Sequence, residues 1–149
     1  MKNWQTKNNS WPARIIIYRD GVSEGQIPHV YQVELKEMQK VLTEKEGLAK
    51  TGFTFIIVTK RVNARFFLSA GRELRNPPPG SMIDSIITRK ERYDFYLISQ
   101  SVRQGTVNPT MYNIIADNSG WKAMHHQQLA YKLCHLYYNW AVSINFKAF

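Results

Sequence analysis

Hydrophobic residues along this chain fall into short continuous runs, separated by polar segments that contain glycine and proline. Four of these runs, RIIIYRD, FTFIIVTK, DFYLIS and MYNIIAD, predict strands at residues 14–20, 53–60, 94–99 and 111–117. Each run is rich in β-branched or aromatic residues and has few polar positions, which is typical of strands buried on both faces. Weaker patterns predict two more strands, at residues 65–68 and 81–88.

Two other segments have the spacing of helices. Residues 26–42 predict an amphipathic helix, whose buried face is expected to carry Tyr31, Leu35, Met38 and Leu42. Residues 121–140 predict another, with a buried face made of Leu129, Leu133, Leu136, Tyr137 and Trp140. Because the first helix connects the first two strands, those strands are predicted to lie parallel in a right-handed βαβ unit. The fold class is therefore α/β.

The charge of the chain favours a polyanionic partner. Its 149 residues fit one domain, and 20 Lys and Arg against 11 Asp and Glu give a net charge of +9. Nucleic acid is the first candidate, and the alternative is a basic surface that is only solvated. Cys134 is the only cysteine, which favours a reducing compartment in the cytoplasm or the nucleus. No run of eighteen apolar residues occurs, so the sequence predicts no membrane span.

One carboxylate stands where a ligand site would be expected. Asp20 ends the first strand and precedes Gly21, and ligands of open α/β sheets gather outside the carboxyl ends of the strands. The alternative is that Asp20 caps the turn or pairs with Arg19. A single aspartate cannot hold the two metal ions used for phosphodiester hydrolysis, so the spacing of the acids does not by itself favour a nuclease.

Basic and amide side chains are concentrated in two loops that leave strand ends. Guanidinium and amide donors suit contacts with phosphate and sugar oxygens, so we expect these loops to contact a nucleic acid backbone. The alternative is a scattered, solvated surface. The candidate residues are Lys60, Arg61 and Arg65 in the first loop and Gln100, Arg103 and Gln104 in the second.

Common signatures of small-molecule and metal enzymes are absent from the sequence. It contains no Walker loop and none of the patterns GxGxxG, GxSxG, CxxC and HExxH. His125 and His126 are neighbours on a predicted helix, where they would point about 100° apart, so they do not predict a zinc site. A small-molecule substrate is therefore not expected.

Five ordered motifs give the sequence a family resemblance. IIIYRDGVSEGQ, FIIVTKRVNARFF, NPPPGSMID, YDFYLISQSVRQGTVNPTMYNIIADNSG and LAYKLCHLYYNW cover most of the chain between residues 15 and 140. Together they resemble the C-terminal part of the PIWI domain of Argonaute proteins, and specifically the Piwi clade. The resemblance implies a partial RNase H-like fold, with a mixed sheet and flanking helices, over residues 13–140. A polar leader (1–12) and a divergent tail (141–149) would flank it.

The same resemblance implies a function and assigns site residues. Proteins of this kind hold a small guide RNA, a piRNA in the germline, against a complementary target RNA, and they silence genes by cutting the target with Mg²⁺. Asp20 matches one catalytic acid and metal ligand of the family. Positions that contact the guide backbone match Arg61, Arg65, Gln100 and Gln104.

Departures from the family pattern limit this expectation. Two further catalytic acids of the family precede YRDG and have no counterpart here, and the tail AVSINFKAF does not match the segment that carries the final catalytic histidine. We therefore expect the chain to be a fragment or an incompletely spliced product of a Piwi gene, inactive as a nuclease by itself. The alternative is a non-catalytic short isoform that binds RNA or a Piwi partner.

Overall fold

Five strands form the central sheet of this protein, as seen in a computed structural model that describes residues 1–88 and 93–136. In chain order, the strands of the described residues are β1 (Arg14–Asp20), β2 (Gly52–Thr59), β3 (Leu68–Ala70), β4 (Glu73–Arg75), β5 (Met82–Ile83), β6 (Tyr93–Leu97) and β7 (Thr110–Asp117). The sheet has the order β1-β2-β7-β6-β5, and β3 and β4 form a separate hairpin.

Helices flank this sheet. The leader contains α1 (Lys2–Asn8). A continuous helical segment, residues 24–44, connects β1 to β2 and is called α2 here; it includes a π-helical stretch at Val30–Leu35. After β7 comes α3 (Ala123–Cys134). The predicted mixed sheet with flanking helices is therefore confirmed.

The pairing of the strands confirms the predicted βαβ unit. β1 and β2 are parallel, with Ile17 opposite Phe55 and Asp20 opposite Val58. β7 runs antiparallel to both β2 and β6, which makes the sheet mixed. Strand alternation then sends successive side chains of each strand to opposite faces.

Each face of the sheet carries its own hydrophobic cluster. On one face, Leu35 and Leu42 of α2 pack with Phe53, Phe55 and Ile57 of β2. The other face joins Ile56 and Val58 of β2 to β6, β7 and α3, with members Phe95, Tyr112, Ala130 and Cys134. We call these the α2 face and the α3 face. Because both faces of β2 are covered, six of its eight residues are buried.

The expectation that β1 is buried on both faces was wrong. Arg14 is exposed and the other six residues of β1 are only partly buried. β1 is one of the two edge strands of the five-stranded sheet, and within the described residues no strand pairs with its outer side. An apolar run predicts burial, but it does not show whether the strand has one neighbour or two.

The predicted helix faces were only partly right. Tyr31 is half exposed, whereas Val30 and Leu35 are buried. The reason is that residues five apart lie on the same face of a π-helical turn. In α3 the buried stripe is His126, Ala130 and Cys134, so the face predicted from the leucines was wrong. Leu136 is 69% exposed. Tyr137 and Trp140 lie outside the described residues.

Two weak strand predictions also need correction. Residues 65–67 have no regular structure, and only Leu68 of the predicted strand is paired, in the β3–β4 hairpin, whose other residues lie where the sequence predicts no strand. Of the strand predicted at 81–88, only Met82–Ile83 pairs with β6. Ile86 has a φ of 69°, a backbone conformation that a β-branched residue cannot hold within a strand.

Candidate nucleic-acid interface

The strand register brings both predicted loops to one edge of the sheet. Parallel pairing places the ends of β1 and β2 together, and β7 begins beside the end of β2, with Thr59 opposite Met111. β6 ends at the same level, where Leu97 lies opposite Thr110. We call this region, made of Asp20 and residues 60–65 and 100–104, the carboxyl edge. It spans three strand intervals, or about 14 Å at the usual strand spacing.

Asp20 is held by a lysine and by its own turn. Its Oδ2 forms an ion pair with Nζ of Lys60, and its Oδ1 accepts a hydrogen bond of 2.8 Å from the backbone N–H of Gly21. Gly21 has a φ of 74°, which suits glycine in the turn after the strand. About a third of the Asp20 side chain (34%) remains exposed, so a ligand can reach the carboxylate.

Arg19 does not pair with the Asp20 carboxylate. Its guanidinium forms a two-bond pair with Glu34 of α2, with 3.0 Å from Nε to Oε2 and 3.2 Å from Nη2 to Oε1. These hydrogen bonds from Arg19 lower the pKa of Glu34. Arg19 therefore fastens α2 to the end of β1.

The basic residues after β2 have different surroundings. Arg61 is exposed and lines a cavity on the α2 face. Arg65 is also exposed, and its Nη1 donates to the backbone carbonyls of Val62, at 2.7 Å, and Ala64, at 2.8 Å. Arg65 thus shapes its own loop while presenting charge to solvent.

The loop with the second set of predicted residues is anchored by a residue that the sequence reasoning missed. The side chain of Asn76 donates to the carbonyl of Gly105 at 2.9 Å and accepts from the N–H of Val107 at 3.2 Å. Gln100 is partly exposed, and Arg103 and Gln104 are exposed. Asn76 precedes three prolines, which lack N–H donors, and this was the available signal that its side chain makes the contacts of the segment.

A second aspartate, also missed by sequence reasoning, lies at the other end of the strands, away from the carboxyl edge. Asp117 ends β7 and accepts from Thr54 Oγ1 at 2.8 Å and from the N–H of Ser119 at 3.0 Å. Its Oδ2 lies 3.0 Å from Nε2 of His126, a buried residue of α3. Burial alone would raise the pKa of Asp117, but the hydrogen bonds from Ser119, Thr54 and His126 outweigh burial and lower it.

The carboxyl edge does not fit a two-magnesium site by itself. Within residues 1–88 and 93–136, no three His, Cys, Asp or Glu side chains lie close enough together to hold a metal ion. Asp20 offers one carboxylate, and Lys60 already neutralises it. Two-metal hydrolysis needs several acids around the ions.

In the part of the chain that the structure describes, no helix combines the length and the apolar character needed to cross a membrane.

The sequence of this chain is similar to the sequences of Piwi proteins. The Piwi domain family model matches residues 1–148. Piwi-like protein Siwi of Bombyx mori is 50% identical over 139 residues, which are 93% of this chain and 16% of Siwi. Protein piwi of Drosophila melanogaster is 44% identical over 144 residues, or 95% of this chain and 17% of that protein. The chain thus spans about a sixth of the length of these curated relatives.

Solved structures show the same relationship. The crystal structure of Drosophila Piwi superimposes with a TM-score of 0.84 at 40% identity, covering 99% of this chain and 20% of that one. Kluyveromyces polysporus Argonaute with a guide RNA gives a TM-score of 0.80 at 25% identity, again covering 99% and 20%. The expected RNase H-like α/β fold is therefore confirmed.

Proposed function

Because this chain belongs to the Piwi domain family, we propose that it provides an RNA-binding surface of a protein that acts in small-RNA-guided gene silencing. The observation that carries this proposal is the carboxyl edge, where the strand register gathers residues from two separate loops. The proposed partners are a small guide RNA of the piRNA kind and its complementary target RNA.

Electrostatics favour the sugar–phosphate backbone as the part of the RNA that is contacted. Arg61, Arg65 and Arg103 are exposed along this edge, and a guanidinium can donate two parallel hydrogen bonds to a phosphate. The amides of Gln100 and Gln104 suit sugar and phosphate oxygens. The net charge of +9 adds a long-range attraction for any polyanion.

The ion pair between Asp20 and Lys60 is compatible with RNA binding at this edge. An unpaired carboxylate at the edge would repel RNA phosphates, and the lysine cancels that charge. We propose that Asp20 is one of the catalytic acids of a complete Mg²⁺-dependent PIWI domain, where a metal ion would replace the lysine. In the 149-residue chain, Asp20 is one carboxylate of the several that such a site needs, so the chain is proposed to bind RNA without cutting it.

A binding and cleavage experiment on the purified 149-residue chain tests this function. The chain is titrated into a labelled single-stranded RNA, and then incubated with Mg²⁺ and a guide paired to its target. We expect binding that Arg61→Ala weakens, and no cleavage. Lys36→Ala, which removes an exposed charge from α2, is the matched control. Equal weakening by both variants would remove the carboxyl edge from the interface, and a cut at one defined bond that Asp20→Ala abolishes would disprove the proposed inactivity.

One observation favours the second candidate function, binding to a Piwi partner. The outer side of β1 has no paired strand within the described residues, and an open sheet edge can accept a strand from another chain. Light scattering of the chain mixed with a full-length Piwi relative would show a complex that Ile15→Pro weakens, since proline removes a donor and disturbs the strand. The absence of a complex would exclude this function.

A further inference from the structure

The β3–β4 hairpin begins and ends at the carboxyl edge. Arg65, at the end of the first predicted loop, precedes it. Phe66 packs edge-on against Tyr96, near the end of β6, with 5.3 Å between the ring centroids. Asn76 comes directly after β4, and its side chain is hydrogen-bonded to the loop that follows β6. A ligand that lies along the carboxyl edge is therefore next to the hairpin.

Neither face of the hairpin is covered by the described residues. Leu68 lies opposite Arg75, and Ser69 lies opposite Leu74, so strand alternation directs the two leucines to opposite faces. Leu68 is 51% exposed and Leu74 is 70% exposed. A two-stranded hairpin is only marginally stable by itself, and exposed apolar side chains that are grouped together indicate an interaction site.

The charge of the hairpin favours a polyanion as the partner. Residues 65–75 contain three arginines and one acidic residue, a net charge of +2. The acid, Glu73, pairs with Arg75 at 2.9 Å. Arg72, at the turn, is exposed and forms no ion pair with another described residue. Its guanidinium is thus available to a phosphate group.

An exposed aromatic ring adjoins this charge. Phe67 directly precedes β3 and is 46% exposed, while its neighbour Phe66 packs towards β6. Exposed aromatic rings stack on the unpaired bases of single strands, and they do so with any base, because every base has a π face. Cationic groups for the phosphates and a ring for a base are the combination found in proteins that bind single strands without sequence preference.

On the basis of the RNA-binding function proposed above, we propose that the β3–β4 hairpin is a second contact element for single-stranded RNA. In this contact the Phe67 ring stacks on an unpaired base, and Arg72 binds a phosphate of the same strand. The hairpin lengthens the RNA path beyond the carboxyl edge without adding a sequence preference. A base inside a duplex is already stacked on both sides, so the Phe67 contact is restricted to unpaired RNA.

The first test compares the affinity of the full chain for a twelve-residue RNA alone and for the same RNA paired with its complement. Phe67→Ala should weaken binding of the single strand about fivefold, the lower end of the range for stacking on an aromatic side chain. Binding of the duplex should not change. The matched control is Tyr31→Ala, a ring of similar exposure (50%) on α2, which should leave both affinities unchanged.

The second test measures the salt dependence of single-strand binding. Arg72→Gln should flatten the slope by about 0.7, the effect of one lost phosphate contact. Lys50→Gln, an exposed cation just before β2 at the other end of the strands, should leave the slope unchanged. Leu74→Lys places a new cation on the hairpin and should steepen the slope by about the same amount. Misfolding cannot produce this gain.

Three results would contradict these expectations, and they can be told apart. If Phe67→Ala and Arg72→Gln bound RNA like the unmodified chain while Arg61→Ala weakened binding, the role of the hairpin would be wrong and the proposed function would stand. If Arg61→Ala had no effect either, the proposed function would fail as well. If the hairpin variants kept their RNA affinity but lost a complex with a full-length Piwi relative, the hairpin would be a protein docking surface and the proposal would be wrong.

Discussion

Asp20 and Asp117 each end a strand of the central sheet. They lie at opposite ends of the sheet along the strand direction, and different partners hold them. Asp117 is bound by Thr54, Ser119 and His126, so it joins β2, β7 and α3. Asp20 has one lysine partner and a bond to its own turn. Their side chains are similarly exposed, at 26% and 34%, so burial does not explain the difference. The partners make Asp117 a structural cross-link between elements, whereas the single lysine partner of Asp20 is compatible with the ligand role that we propose for it.

The largest predicted difference between substitutions of the two aspartates is in folding stability. Asp117→Ala should lower the free energy of unfolding by about 3 kcal/mol, because it leaves Thr54 and the buried His126 without their partner. Asp20→Ala, the matched change at the other edge, should cost less than about 1 kcal/mol, as for a partly exposed ion pair. Urea denaturation of both variants measures this, and equal losses would contradict the distinction.

The stability of the fold at acid pH should depend on the ionisation of Asp117. The pKa of Asp117 is lowered from its ordinary value of 3.8 in the folded chain. Its contribution to stability is therefore complete well above pH 3.8 and is lost as the pH falls through the lower, folded value. Urea midpoints between about pH 2.5 and 6 should fall less steeply for Asp117→Asn than for the unmodified chain. Parallel curves would show that the Asp117 hydrogen bonds do not stabilise the fold.

A smaller effect is predicted for RNA affinity at the carboxyl edge. Asp20→Asn removes the negative charge beside Lys60 and frees that ammonium for phosphate. Affinity for single-stranded RNA at low salt should rise about two- to fivefold, the usual worth of an exposed charge pair. Asp117→Asn, at the opposite edge, should leave the affinity unchanged. A weaker complex with Asp20→Asn would show that the carboxylate itself takes part in binding.

The sequence predicts the parts of this site that depend on local pattern. The apolar runs locate the four main strands, and the segment between the first two predicts their parallel pairing, which the register confirms. The partners of Asp20 and Asp117 could not be predicted, because each depends on register between segments far apart in the chain. Lys60 and Asp20 are separated by 40 residues, and Thr54 and Asp117 by 63.

The errors have physical causes of the same kind. The π-helical turn of α2 rotates its buried face in a way that a 3.6-residue period cannot predict. In α3, the buried stripe carries His126 where the pattern predicts a leucine, and Asp117 pairs with one of the two ring nitrogens of His126, Nε2. A buried polar residue is predictable only when its partner is known.

The salt dependence of RNA binding tests the central claim, that the carboxyl edge contacts the RNA backbone, most directly. The logarithm of the association constant is measured against the logarithm of salt concentration for the unmodified chain and two triple variants. Arg61→Gln, Arg65→Gln and Arg103→Gln together should flatten the slope by about 2, since each lost phosphate contact on a single strand removes about 0.7. Lys36→Gln, Lys40→Gln and Lys45→Gln remove the same charge from exposed positions on and just after α2 and should leave the slope unchanged. Equal flattening by both triple variants would contradict the account.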